Sequence, residues 1–229
     1  MSDINNIQSS NTAILVQDSL LACGAGMSLQ SRNDVKNAFH FATLVADKLY
    51  DPQVQSKAWY DQFLKVMQDC GFVAARRSFE LETASSVTVT VGAVVFRIMA
   101  AAGTAVLGGP IGDALGTLAK KAMEKLGSIE GEKRVFITDR KNKQSGMVGL
   151  GACIETPDGE VVLVMSCVNA AAPKANTDLL GVEWNITSSE YYAGSAVLSL
   201  NRTIYDRVRD HVENKLGVRS VEDILEYEI

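Results

Sequence analysis

Histidine is almost missing from this 229-residue chain, which holds only His40 and His211. His40 lies between Phe39 and Phe41 in an apolar stretch, and His211 sits among Arg209, Asp210 and Glu213 on a solvated face. Neither is near a nucleophile-elbow sequence, and Gly194-Ser195 lacks the GxSxG frame, so hydrolysis with a histidine base has no support. The four cysteines, Cys23, Cys70, Cys153 and Cys167, make no CxxC pair and no Cys/His spacing suited to zinc. The carboxylates are scattered without a paired-acid spacing. No catalytic, cofactor-binding or metal-ligating residue is predicted, and the chain is read as a non-enzyme without a cofactor.

Lysine and arginine are absent from Met1 to Ser31, and Asp18 interrupts the only apolar run there, Ala13–Leu21. A secretory leader needs a basic start, so none is expected and the chain is read as cytoplasmic. All four cysteines should then be free thiols. Cys153 and Cys167 flank a turn at Pro157-Asp158-Gly159, which sets Cys153 opposite Leu163 or Val164 and not opposite Cys167. The sequons at Asn185 and Asn201 carry no meaning without a secretory route. Excess basic charge is also lacking: the net charge is −5, which disfavours nucleic acid and anionic membranes. Lys133, Arg134, Arg140, Lys141 and Lys143 form the one basic cluster, but Glu130, Glu132 and Asp139 interleave it, so it reads as a solvated hairpin.

Charge of either sign is nearly missing from Thr83 to Gly112, where Arg97 stands alone. Its glycines and threonines suit close internal packing, so it is read as core and no stable membrane insertion is expected. The glycine-rich stretch Gly108-Gly109-Pro110-Ile111-Gly112 has neither GxxxxGK[ST] nor GxGxxG, and Lys120 and Lys121 lie more than two turns into the following helix. Packing through Gly112 and Gly116 is the better reading.

What is present is an ordinary globular composition, 47% hydrophobic and 21% charged. No repeat or linker divides it, so one α+β domain is predicted over 1–229, helical in 1–75 and sheet-rich in 76–229. Its sheet should be mainly antiparallel, with an N-terminal helical hairpin, a central helix and a C-terminal helix packed on it. Asn33 is read as the cap of a first helix ending at Leu49, and Asp51-Pro52 as the start of a second closed by Gly71. Strands are expected at Phe79–Thr83, Val87–Val91, Val135–Thr138, Met147–Glu155, Val161–Asn169, Leu179–Thr187 and Tyr191–Leu200. Val94–Leu107 fits a strand or a buried helix equally, and Ile111–Leu126 reads as the central helix. Asn201 should cap a helix with Ile204, Val208 and Val212 inward, stopped by Gly217. Ser220 and Asp223 resemble a capping box for a short terminal helix.

In overall size, in VTVTVGAVVFRIMAAAGTAVLGG (Val87–Gly109) and in ETPDGEVVLVMSCVN (Glu155–Asn169), the chain resembles accessory proteins of the bacterial motility-associated killing factor clusters. These clusters encode tripartite α-pore-forming cytotoxins, so the resemblance implies a non-enzymatic helper that binds toxin components. It implies no catalytic residues. Actinoporin-like toxins offer a second comparison, but the clustered surface aromatics of such toxins are missing here. A directly membrane-active toxin component and an enzyme of unrecognised type stay as alternatives. Adjacent aromatics Trp59 and Tyr60 point about 100° apart on a helix. The more exposed of them is expected to anchor a protein partner, while the oligomeric state is left open.

Overall fold

The apolar N-terminal run folds as strands in a computed structural model that describes residues 11–17, 19–52, 54–83, 89–128, 145–171, 183–184 and 190–225. Strand β1 (Thr12–Val16) turns through Gln17, whose φ of 53° is left-handed, into β2 (Ser19–Cys23). This corrects the helical reading of the first 75 residues. Leu21 and Cys23 face one core layer and Leu20 and Ala22 the other, so β2 is apolar from Leu20 to Cys23 and shows no alternation.

Helix α1 spans Leu29–Leu49 and starts earlier than Asn33. Ser28 is its cap, its Oγ accepting the Ser31 backbone N–H at 3.1 Å. Replacing Ser28 with Ala should therefore lower the unfolding free energy by about 1 kcal/mol in urea titration. Helix α2 (Ser56–Asp69) begins beyond Asp51-Pro52 and is closed, as expected, by Gly71 at φ 88°. Strand β3 (Phe72–Thr83) follows, longer than the alternation at Phe79–Thr83 suggests. After β4 (Val89–Thr90), Val91 already belongs to helix α3 (Val91–Leu107). The ambiguous apolar stretch is thus helical, with Val94, Val95, Met99 and Ala102 buried at helical spacing.

Helix α4 (Gly109–Ser128) folds back on α3. A Cβ at Gly112 would sit 3.2 Å from Thr104 Cα, so this glycine lets the two backbones approach. Gly116 meets nothing within 4 Å, which corrects its assignment to the same contact. The central helix of the sequence reading is therefore one arm of a helical hairpin.

Strands β5 (Ser145–Glu155), β6 (Val161–Ala171) and β8 (Glu190–Leu200) lie where the apolar runs between turn segments placed them, and β7 is described at Glu183–Trp184. Cys153 pairs with Leu163, the register that the turn at Pro157-Asp158-Gly159 dictates. Helix α5 (Arg202–Leu225) starts at Asn201, whose Oδ1 accepts the Ile204 N–H at 3.3 Å. It runs unbroken through Gly217, so neither the stop there nor the separate terminal helix is found. Its inward face is Tyr205, Val208 and Val212, whereas Ile204 is exposed. The basic cluster, the strand expected at Val135–Thr138 and most of Leu179–Thr187 lie outside the described residues.

The main sheet has the order β1-β2-β5-β6-β8-β3, and β4 pairs with β7 separately. All its pairings are antiparallel except β2 with β5, so the architecture is α+β with a mainly antiparallel sheet. Helices α1, α2 and α5 cover one face and the α3–α4 hairpin covers the other. Among the described residues no helix is long and apolar enough to cross a membrane.

Ion pairs fasten α5 to the first of these layers. Arg209 holds Asp34 of α1, and Arg202 holds Glu155 at the end of β5. Burial pushes the Glu155 carboxyl upward, but hydrogen bonds from Ser28 and Ser31 and the Arg202 charge outweigh it and hold the pKa below its usual value. A folded pKa below the unfolded one means stability present at neutral pH and lost as pH falls through the carboxylate range. Glu155→Gln should accordingly be less stable than the parent at pH 7 and differ from it less at pH 3, by denaturation at the two pH values.

Candidate protein interface

Strand β3 is an outer strand of the main sheet: β8 pairs along one edge, and among the described residues no strand pairs along the other. Gly71 fixes where it begins. A Cβ there would lie 3.0 Å from both the Asn201 carbonyl oxygen and Ile204 Cβ, and the Gly71 carbonyl accepts the Asn201 N–H at 2.9 Å. The chain is thus pinned between the end of α2 and the start of α5.

A bulge between Ala74 and Arg76 then decides which side chains face inward. Phe72 points to the α1–α2–α5 layer, and strict alternation would send Phe79 to the opposite face. The extra residue restores the parity, so Phe72 and Phe79 pack on the same layer. Leu81, two residues beyond Phe79, lies on that face opposite Tyr192 of β8. Past the N-terminal end of α2 no described helix covers this part of the sheet: Leu81 is 46% exposed and Tyr192 43%.

Aromatic rings connect this bare patch to the core. Tyr60 packs against Phe79 with centroids 5.1 Å apart, and Phe79 stacks on Tyr192 at 5.6 Å. Gly194 makes room for the inner ring, since a Cβ there would come within 2.6 Å of Tyr60 Cε2. The Tyr60 hydroxyl donates to the Ser195 carbonyl at 2.6 Å, and burial pushes its pKa far up. Tyr192 therefore stands on a rigid base, which lowers the entropy lost when a partner covers it. Around the patch, Arg76, Arg77 and Glu80 of β3 are exposed.

The structure brings the two sequence-chosen residues together but turns neither outward. Trp59 is 5% exposed and Tyr60 1%. Trp59 stacks on Phe63 at 5.6 Å and donates its indole N–H to Asp47 Oδ1 at 2.7 Å. The expectation that one of them is an exposed aromatic is corrected: among the described residues the exposed aromatic is Tyr192, with Tyr60 at the root of its stack. The bulge that aligns Phe79 with Tyr60 has no sequence signature, which is why helix geometry pointed elsewhere.

Elsewhere, a concavity of about 550 Å³ opens between the β2–α1 loop, the start of α4 and the end of β5. Two of its polar groups brace the protein itself. Asn11 Oδ1 accepts the Ala25 N–H at 2.8 Å, and Glu155 Oε2 accepts the Ser28 N–H at 2.8 Å. Among the described residues no three His, Cys, Asp or Glu side chains gather as metal ligands. His40 Nε2 lies 3.2 Å from Gln17 Nε2, and His211 is exposed.

No family model matches the chain, and no curated protein matches its sequence. Among solved structures it is similar to the Evf virulence factor, with a TM-score of 0.39 and 10% identity over 87% of this chain and 82% of that one. It is also similar to a delta-endotoxin, with a TM-score of 0.34 and 12% identity over 82% of this chain and 81% of the other.

Proposed function

We propose that the protein is a non-enzymatic accessory protein that binds a client by adding one of the client's strands to the free edge of β3. The observation that carries this reading is the twelve-residue outer strand beside the bare pair Leu81 and Tyr192. An outer strand offers a row of backbone donors and acceptors, and an added strand satisfies them while side chains set specificity. Arg76, Arg77 and Glu80 suit a client segment of mixed charge and oppose indiscriminate pairing. The resemblance to killing-factor accessory proteins supplies the client's class, a component of a bacterial cytotoxin.

The test is calorimetric titration of the chain with each component of a tripartite α-pore-forming cytotoxin. One component should bind, and Tyr192→Ala with Leu81→Lys should weaken binding at least tenfold, about 1.4 kcal/mol, with the unfolding midpoint nearly unchanged. Undiminished binding by the double variant would remove the interface from β3. Turnover of a small molecule without any protein bound would favour an enzyme, and dye release from liposomes at micromolar protein would favour the membrane-active reading.

A further inference from the structure

Two of the four thiols lie side by side. Strands β2 and β5 run parallel, and their register sets Cys23 directly across from Cys153. Both residues are fully buried, with sulfur atoms 3.4 Å apart and the Cys153 thiol placed to donate to Cys23 Sγ or to the Ala22 carbonyl, each at 3.4 Å. The sequence separation of 130 hides this pairing from any spacing argument. It arises because β2 inserts beside β5 in the one parallel pairing that the main sheet has among the described residues.

The surroundings of the two sulfurs are unequal. Arg32 of α1 reaches over the end of β2, donating to the carbonyls of Gly24 and Ala25 at 3.2 Å each and to Thr12 Oγ1 at 3.4 Å. Its Nε is buried without a hydrogen-bond partner among the described residues. Thr12 pairs across β1–β2 with Cys23. The hydrogen bond from Cys153 draws the Cys23 pKa below its ordinary value, against the opposing push of burial, and the Arg32 charge and the Thr12 hydroxyl add to it. The same hydrogen bond and burial raise Cys153. Of the two, Cys23 is the sulfur that gives up its proton more readily, with a second thiol in contact to resolve it. The other two cysteines differ: burial pushes Cys70 up to about 11 and Cys167 up to about 12.

From this geometry we infer that Cys23 and Cys153 form a reversible oxidation site, a dithiol that peroxide converts to a disulfide joining β2 to β5. The Cys23 thiolate attacks one peroxide oxygen, forming an S–O bond as the O–O bond breaks; hydroxide leaves and takes up a proton to become water. The Cys153 sulfur then attacks the Cys23 sulfenic sulfur, forming the S–S bond, and the sulfenic oxygen departs as a second water with the thiol proton. Two thiols lose two electrons and one hydrogen peroxide gains them. A dithiol reductant reverses the change by exchange. Directly opposed strand positions fall within the Cα separation that a disulfide tolerates, and the sulfurs need to close by roughly 1.3 Å to reach bond length.

The experiment treats the native chain with hydrogen peroxide, quenches with acid, alkylates free thiols under denaturing conditions and maps the peptides by mass spectrometry. The untreated protein should carry four alkylated cysteines. After oxidation, two should remain alkylated, Cys70 and Cys167, and one cross-linked peptide should join Cys23 to Cys153 at a mass 2 Da below the dithiol. Dithiothreitol should restore all four. Cys153→Ser should block the cross-link and leave a Cys23 sulfenic acid that dimedone traps. Four unreacted thiols, a cross-link between other cysteines, or Cys23 over-oxidised in the wild-type chain without a cross-link would each overturn the assignment.

Discussion

Replacing Arg209 with Met is expected to lower folding stability by about 3–5 kcal/mol. Asp34 is the reason. Its side chain is 1% exposed on α1, and its oxygens accept from Arg209 Nε at 2.9 Å and from an Arg209 terminal nitrogen at 2.8 Å. Gln30 adds a third hydrogen bond at 3.0 Å. A forked guanidinium matches a carboxylate in a way that an ammonium does not, so Arg209→Lys should recover only part of the loss. Removing the arginine strands a carboxylate in the layer between α1 and α5, with Gln30 as its remaining partner. The pair itself is not the source of the cost, because two desolvated charges roughly offset their attraction. The double variant Asp34→Leu/Arg209→Met should therefore regain most of the stability lost by Arg209→Met alone. Urea midpoints of the single and double variants check this, and a single-variant loss below about 1 kcal/mol would show that Asp34 finds water or another partner.

Phe63→Ala should cost a similar amount, about 3–5 kcal/mol. Phe63 is fully buried where α1 and α2 meet, stacked on Trp59 and edge-on to Phe39 at 5.1 Å. Truncation removes both aromatic contacts and opens a cavity between two helices that are held to the sheet on their other side, so collapse around it is limited. Phe63→Leu keeps much of the volume and should lose less than half as much. Guanidinium titration at constant slope separates the two. Equal losses would mean that ring stacking, not volume, holds the helices together.

Much of the fold was legible where one physical signal dominated. Apolar runs bounded by turns placed β5, β6 and β8, glycine closed α2 at Gly71, and the tight turn set Cys153 against Leu163 or Val164, of which the structure has Leu163. The misses occur where tertiary context overrides a local pattern. Strand β2 is buried on both faces and loses its period, and α5 passes through Gly217 because a glycine on an exposed helical face costs only about 1 kcal/mol. Ser28 outcompetes Asn33 as a cap, although both are good capping residues, because Ser28 begins the helix a turn sooner.

The candidate interface was not legible in the sequence. The reading offered the more exposed of Trp59 and Tyr60, which are both buried, whereas Tyr192 lies more than a hundred residues away and meets Tyr60 through Phe79, after a bulge that no composition rule announces. The neighbouring thiols were hidden for the same reason, since their contact depends on strand order. Long-range pairing is the least local information in a chain.

Strand order also has a consequence for synthesis. Strand β3 is complete by Thr83, yet its only described neighbour in the main sheet, β8, begins at Glu190; β2 ends at Cys23, yet waits for β5 at Ser145. A ribosome adding about 5–20 residues per second exposes these early strands for several seconds before their neighbours emerge. During that interval the α1–α2 hairpin can form, but Phe72 and Phe79 have no β8 strand to pair beside. The nascent chain is therefore a stronger client for holdase chaperones than the finished protein, and slowing translation between β3 and β8 should raise the aggregated fraction.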